Sequence, residues 1–190
     1  AAKAVELIAA NLPTACRNGA DTEARTSLAL ASLMAGAAFS NAMVGIVHAI
    51  GHSLGGLCRI PHGQAMMMLL PHCVRFNLDR GIHAGLYGQL LDVLAPARAA
   101  ALGAGAAPEA LDRAFLDELT ALNDLFHREY GVPIRRSGGR VSRDDLPAVA
   151  KQARYDGAAL YNETEITLED AMVVRAAAYY SKRRSPHDRH

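Results

Sequence analysis

Over the first eighteen residues, apolar side chains recur at Val5, Leu7, Ile8, Leu12 and Ala15, the spacing of one helix face. The pattern predicts a helix kinked by Pro13 and closed by Gly19 in a left-handed cap. Asp21 is placed to cap a second helix, with Glu23 in its first turn. That helix, TEARTSLALASLMAGAAF, loses its polar face after Arg25, which predicts burial on nearly all sides. From Thr26 to Cys58 no Asp, Glu, Lys or Arg occurs. Such a run is long enough for a membrane span. Ser27, Ser32, Ser40, Asn41, His48, His52 and Ser53 interrupt it, however, and Ala and Gly dominate it, so the buried part of a soluble bundle is the better reading. Gly51 and Gly55 form a GxxxG, a spacing that also suits close helix packing outside membranes.

After Pro61-His62-Gly63, the segment QAMMMLLPHCVRFNL reads as a helix that is apolar almost all round, kinked at Pro71. Met66, Met67 and Met68 read as adaptable core in preference to a cofactor box. Residues 81–98 are predicted helical despite Gly81, Gly85 and Gly88, and AAALGAGAA at 99–107 is the predicted loop. Pro108 suits the first position of an amphipathic helix reaching about Glu129 and ending near Gly131, with Leu111, Phe115, Leu119, Leu122 and Phe126 on one face. RRSGGR is a polar turn, and the pairs Ser142/Asp145 and Thr167/Asp170 look like capping boxes opening two last helices. No internal repeat and no strand of more than a few residues emerges, so the expected fold class is all-α, a helical bundle.

Composition agrees with this. Hydrophobic residues make up 51% of the 190, mostly Ala and Leu, and Trp is absent. A net charge of +1 argues against nucleic acid or an acidic membrane surface as partner. The basic Lys182-Arg183-Arg184 beside Pro186 reads as a frayed tail. Cys16, Cys58 and Cys73 are odd in number and lack CxxC spacing, which suggests reduced, cytoplasmic usage; Cys58 reads as a small apolar filler. The start, AAKAVELIAANLP, has neither an initiator Met nor the regions of a signal peptide. It reads as a helix entered partway along, so the chain is expected to be a fragment or to have its true start elsewhere.

The candidate chemistry lies in GIVHAIGHSLGGLCRIPHG at 45–63. His48 and His52, four apart, share a helix face. His62 follows a turn with Gly55, Gly56 and Pro61 that can bring it back toward them. On spacing alone these are either three metal ligands or three satisfied core histidines. His72, next to Pro71, reads as a core or supporting residue, and His127, His187 and His190 as surface or tail positions.

FSNAMVGIVHAIGHSLGG followed by RIPHGQAMMMLLPHCVRFN resembles the signature of the iron-containing (group III) alcohol dehydrogenases. The shared pattern is H-x3-H-x9-HG, preceded by an Asn-containing turn and followed by a Leu-Leu-Pro-His helix. The similarity runs from NLPTACRNG to LEDAMVVRAAAYY and is weaker between residues 80 and 140. It implies the family's C-terminal all-helical metal domain over residues 1–190, without the N-terminal α/β domain that binds NAD or NADP. It implies a metal, Fe(II) or Zn(II), held by one Asp and three His, of which His48 and His62 match the last two. His52 matches a histidine that is not a ligand but lies near the nicotinamide and is proposed to relay protons, so three equal ligands are not expected. The other two ligands belong to a D-x3-H motif on an earlier helix; the lone D-x3-H here, Asp79 to His83, follows the signature instead of preceding it. No Gly-rich nucleotide loop is found. Ser53 and Gly51 stand where many relatives have Pro and Ala, changes that would bear on pocket shape, and Asn41 is a turn former or a pocket support.

The resemblance implies an NAD(P)-dependent alcohol dehydrogenase acting on a small alcohol or aldehyde, with this chain alone inactive and weakly metallated. A homo-oligomer is expected, because an apolar face near residues 43–68 would otherwise stand open. The alternative is a non-enzymatic helical module for metal binding or assembly.

Overall fold

The computed structural model describes residues 1–132, 142 and 144–172. They form eight α-helices: α1 (Ala2–Arg17), α2 (Thr22–Ala42), α3 (Ile46–Cys58), α4 (His62–Asp79), α5 (Gly88–Leu94), α6 (Pro96–Leu102), α7 (Pro108–Tyr130) and α8 (Asp145–Arg154). A 3-10 turn spans Gly157–Tyr161, and residues 168–172 are again helical. No strand occurs among the described residues, so the chain is all-α. The predicted turn at 135–140, the basic tail, His187 and His190 lie outside the described residues. The helices group into two compact units, one of Ala1–Met43 with Asn77–Ala121, the other of Val44–Phe76 with the described residues from Leu122 onward.

In the first unit α1 packs along α2 and α5, and α5 against α6. Asp21 caps α2 as expected, accepting the Ala24 N–H at 2.9 Å. α1 does not end in a left-handed glycine. Asn18 closes it instead: its side chain accepts the Ala20 N–H at 3.2 Å and its carbonyl the Asp21 N–H at 3.1 Å. An Asn side chain can make this turn locally without positive φ. The expected burial of α2 also fails. Only Ala24 and Ala31 are buried, while Leu33 is 70% and Phe39 53% exposed. A helix apolar all round is buried all round only where neighbours surround it, and α2 keeps an open side.

The predicted helix at 81–98 is broken. Gly81, His83 and Gly85 all take positive φ, and helix resumes only at Gly88 before stopping at Ala95, ahead of Pro96. The cause lies in α7. The buried Asp112 carboxylate accepts the Gly85 N–H at 2.6 Å and the Gly88 N–H at 2.7 Å, so the non-helical backbone is better satisfied than a glycine-weakened helix. Gly88 is also required for close approach, since a Cβ there would lie 2.6 Å from the Leu111 Cβ. Pro96 opens α6, which takes the first residues of the predicted loop and leaves 103–107 as the connection. α7 ends as expected, with Gly131 at φ 65°.

In the second unit, α3 packs on α8 and on the 3-10 turn. Ile46, Ala49, Ile50 and Leu54 meet Leu69, Cys73, Leu146, Val149 and Ala150 in one apolar core. Cys58 belongs to that core, in keeping with a filler role. Both expected capping boxes form. Ser142 and Asp145 exchange backbone N–H to side-chain bonds at 2.6 and 3.2 Å, and Thr167 and Asp170 do so at 3.0 and 3.1 Å. α4 runs through Pro71, whose missing N–H leaves the Met67 carbonyl without its usual partner. The Asn123 amide fills that place, donating to the Met67 carbonyl at 2.7 Å.

Candidate metal centre

α3 turns Ile46, Ala49, Ile50, Ser53 and Leu54 into the core, so His48 and His52 fall on its opposite, open side. Gly45 begins the helix where a Cβ would lie 2.7 Å from the Asn162 Oδ1, and that same oxygen accepts the Ile46 N–H at 3.2 Å. Arg59 ends it in the left-handed region at φ 51°, its N–H bonded to the Gly55 carbonyl at 3.1 Å. The chain then reverses through the buried Ile60 and exposed Pro61, and His62 is the first residue of α4.

The reversal brings the three imidazoles together. Ring centroids lie 5.6 Å apart for His48 and His52, 5.5 Å for His48 and His62, and 5.6 Å for His52 and His62. An ion bonded to an imidazole nitrogen at about 2.0–2.1 Å stands about 3.2 Å from the ring centre. Two rings sharing one ion therefore have centres about 5–6 Å apart, and the observed spacing fits. None of the three is fully buried; His48 is half-buried and the other two are exposed. The His48 imidazole is held below its ordinary value, first by burial and then by the neighbouring charges of His52 and His62, against a smaller opposing pull from Asp156. That favours the neutral ring, which is the ligating form. His52 differs from the others in having a carboxylate on its Nδ1, with Asp156 oxygens at 3.1 and 3.2 Å. Sequence reading missed Asp156, because it lies 104 residues away and carries no motif.

The fit to a metal is partial. The ring centres stand at a spacing that two ligands of one ion would have, but among the described residues no group of three or more His, Cys, Asp or Glu side chains, the triangle included, is arranged to hold an ion. Other sequence candidates fall elsewhere. Asp79 ends α4, and His83 lies in the following turn with positive φ. Asn41 is not in a turn; it sits in the last turn of α2 and donates to the Ala37 carbonyl at 2.8 Å. Ser53 is buried and donates to the Ala49 carbonyl at 3.0 Å, so its hydroxyl is spent on its own helix. Gly51 accommodates Met66, whose methyl would lie 1.9 Å from a Cβ there, so Met66 acts as packing. His127 is partly buried, and its Nδ1 pairs with the Val132 carbonyl at 2.9 Å.

The chain belongs to the Fe-containing alcohol dehydrogenase family, whose C-terminal model matches residues 1–179. It is 38% identical over 167 residues to the 1,3-propanediol dehydrogenase of Citrobacter freundii, covering 85% of this chain and 39% of that protein. It is 33% identical over 183 residues to the NAD-dependent methanol dehydrogenase of Bacillus methanolicus, covering 93% and 44%. A crystal structure of a 1,3-propanediol oxidoreductase superposes with a TM-score of 0.82 at 31% identity, over 94% of this chain and 44% of that one. The chain thus spans about two fifths of the length of these relatives.

Proposed function

We propose that this chain supplies half of the metal site and the proton relay of an NAD(P)-dependent alcohol dehydrogenase that interconverts small alcohols with aldehydes or ketones. The observation that carries the reading is the triangle of imidazoles at 5.5–5.6 Å, formed by the very spacing that defines the family resemblance. His48 and His62 hold the metal, Fe(II) or Zn(II), by their ring nitrogens, and two further ligands complete the site from outside this chain. When bound, the metal supplies Lewis acidity toward the alcohol oxygen. His52 takes the proton released at that oxygen during oxidation and returns it during reduction, a task suited to an imidazole, whose ring nitrogens can both accept and donate a proton. NAD or NADP is held mainly by residues that this chain does not contain. The chain is placed in the cytoplasm on its cysteine usage, and no single helix among the described residues is long and apolar enough to cross a membrane. It is proposed to self-associate, covering the apolar side chains left open on α2.

The test separates the two histidine roles in the full-length, metal-loaded enzyme. His62→Ala should abolish retained metal, measured by elemental analysis, whereas His52→Ala should keep the metal and slow turnover by about 100-fold or more. Equal metal loss in both variants would return His52 to the ligand set. Tight stoichiometric metal together with NAD(P)-dependent turnover by the 190-residue chain alone would show that the outside ligands are not needed.

A further inference from the structure

His52 is 43% exposed, yet its ring is not left to solvent. Its Nδ1 lies 3.2 and 3.1 Å from the two Asp156 carboxylate oxygens, so the carboxylate straddles one nitrogen. Asp156 is itself fixed: its side chain is 20% exposed, and its Oδ1 accepts the Ala158 N–H at 2.8 Å, opening the 3-10 turn Gly157–Tyr161. The far end of that turn is tied to the same helix. Asn162 accepts the Ile46 N–H at 3.2 Å and donates to the Thr164 carbonyl at 3.0 Å. One short segment thus grips α3 at its first turn and again at His52.

We propose that Asp156 is a positioning residue for His52, holding the neutral ring in the Nδ1–H tautomer so that Nε2 carries the lone pair that exchanges the substrate proton. An ionised carboxylate only accepts hydrogen bonds, so a neutral imidazole facing it must place its proton on Nδ1. In water the free ring prefers the opposite tautomer. Orienting a catalytic imidazole through a buried or half-buried carboxylate is a recurrent solution, and replacing the carboxylate by its amide leaves geometry intact while reversing the tautomer. The functional half of this inference rests on the reading of His52 as the proton relay; the orientation half does not.

The orientation is read by 15N–1H NMR of the imidazoles in the 190-residue chain, assigned with a His52→Gln reference, well above the ordinary histidine pKa of about 6.5. The expected spectrum shows His52 as Nδ1–H. Asp156→Asn is the variant, because it is isosteric and its oxygen can keep the Ala158 N–H, leaving the amide nitrogen toward Nδ1; it should reverse His52 to Nε2–H. A wild-type ring in the Nε2–H form, or one tautomer shared by wild type and variant, overturns the proposal. In the full-length enzyme the same substitution should lower kcat on the order of 10–100-fold with KM and bound metal unchanged. A reversed tautomer with unchanged kcat, where His52→Ala does slow turnover, overturns the functional half. If His52→Ala leaves turnover intact, the relay reading itself fails, and the NMR result still decides whether Asp156 sets the ring.

Discussion

His72 shows how one side chain links burial to acid sensitivity. It is half-buried in α4, and its imidazole is held below the ordinary value of about 6.5, first by burial and then by the nearby Arg75 charge. The unfolded chain therefore takes up a proton at this site before the folded chain does. As pH falls below about 6.5, stability drops, and the loss levels off below the depressed folded value; above about 6.5 the contribution is complete. His48 acts in the same direction, through burial and the charges of His52 and His62. Replacing His72 with Gln should reduce the loss in urea midpoint between about pH 7.5 and pH 5.5. An unchanged pH slope in that variant would remove His72 from the account.

Among the elements, α4 shows a break in the backbone ladder being repaired from a distance. Pro71 leaves the Met67 carbonyl without its helical partner, and the Asn123 amide takes that place at 2.7 Å. Asn123→Ala should cost about 1–2 kcal/mol, as a half-buried acceptor loses its donor. In a Pro71→Ala background the restored N–H meets Met67, so the same substitution should cost markedly less. A double-mutant cycle by urea denaturation measures that coupling, and strictly additive losses would contradict it. Elements held by local signals are legible in the sequence, and those held by distant side chains are not. Helices whose start and stop signals are local, such as α2 at Asp21 and α7 at Gly131, are legible in the sequence, as are both capping boxes. Residues 81–98 are not, because the Asp112 carboxylate that holds the turn comes from α7, far along the chain. The histidine triangle is legible because the family spacing encodes a tight reversal. Asp156 is not, for the same reason as Asp112: its partner is set by tertiary packing.

For the whole molecule, the open side of α2 is the feature that local reasoning turns the wrong way. An uncharged, apolar sequence predicts burial, and the burial is missing within the described chain: Leu30, Leu33 and Phe39 stay exposed. Within residues 43–68, where the sequence predicts an open apolar face, the exposed large apolar side chains are Met43 and Leu57, fewer than that prediction implies. Large apolar side chains left exposed are the kind of surface that association covers. Sedimentation velocity on the 190-residue chain should show a concentration-dependent dimer or larger species, and Leu33→Glu with Phe39→Glu should shift it to monomer. A wild-type chain that sediments as a monomer at all concentrations would leave α2 to some other partner.

The short reversal between α3 and α4 carries a consequence for how such a chain can vary in length. Three residues, Arg59, Ile60 and Pro61, separate the two helices, one of them left-handed and one buried. Adding or deleting a residue there would turn the start of α4 by roughly a hundred degrees about its axis and carry His62 away from the other two rings. The connection at 103–107, between α6 and α7, holds no histidine and is exposed apart from a half-buried Ala106. Insertions can accumulate in the second loop at little cost, while the first is a ruler whose length sets where His62 stands against the other two rings.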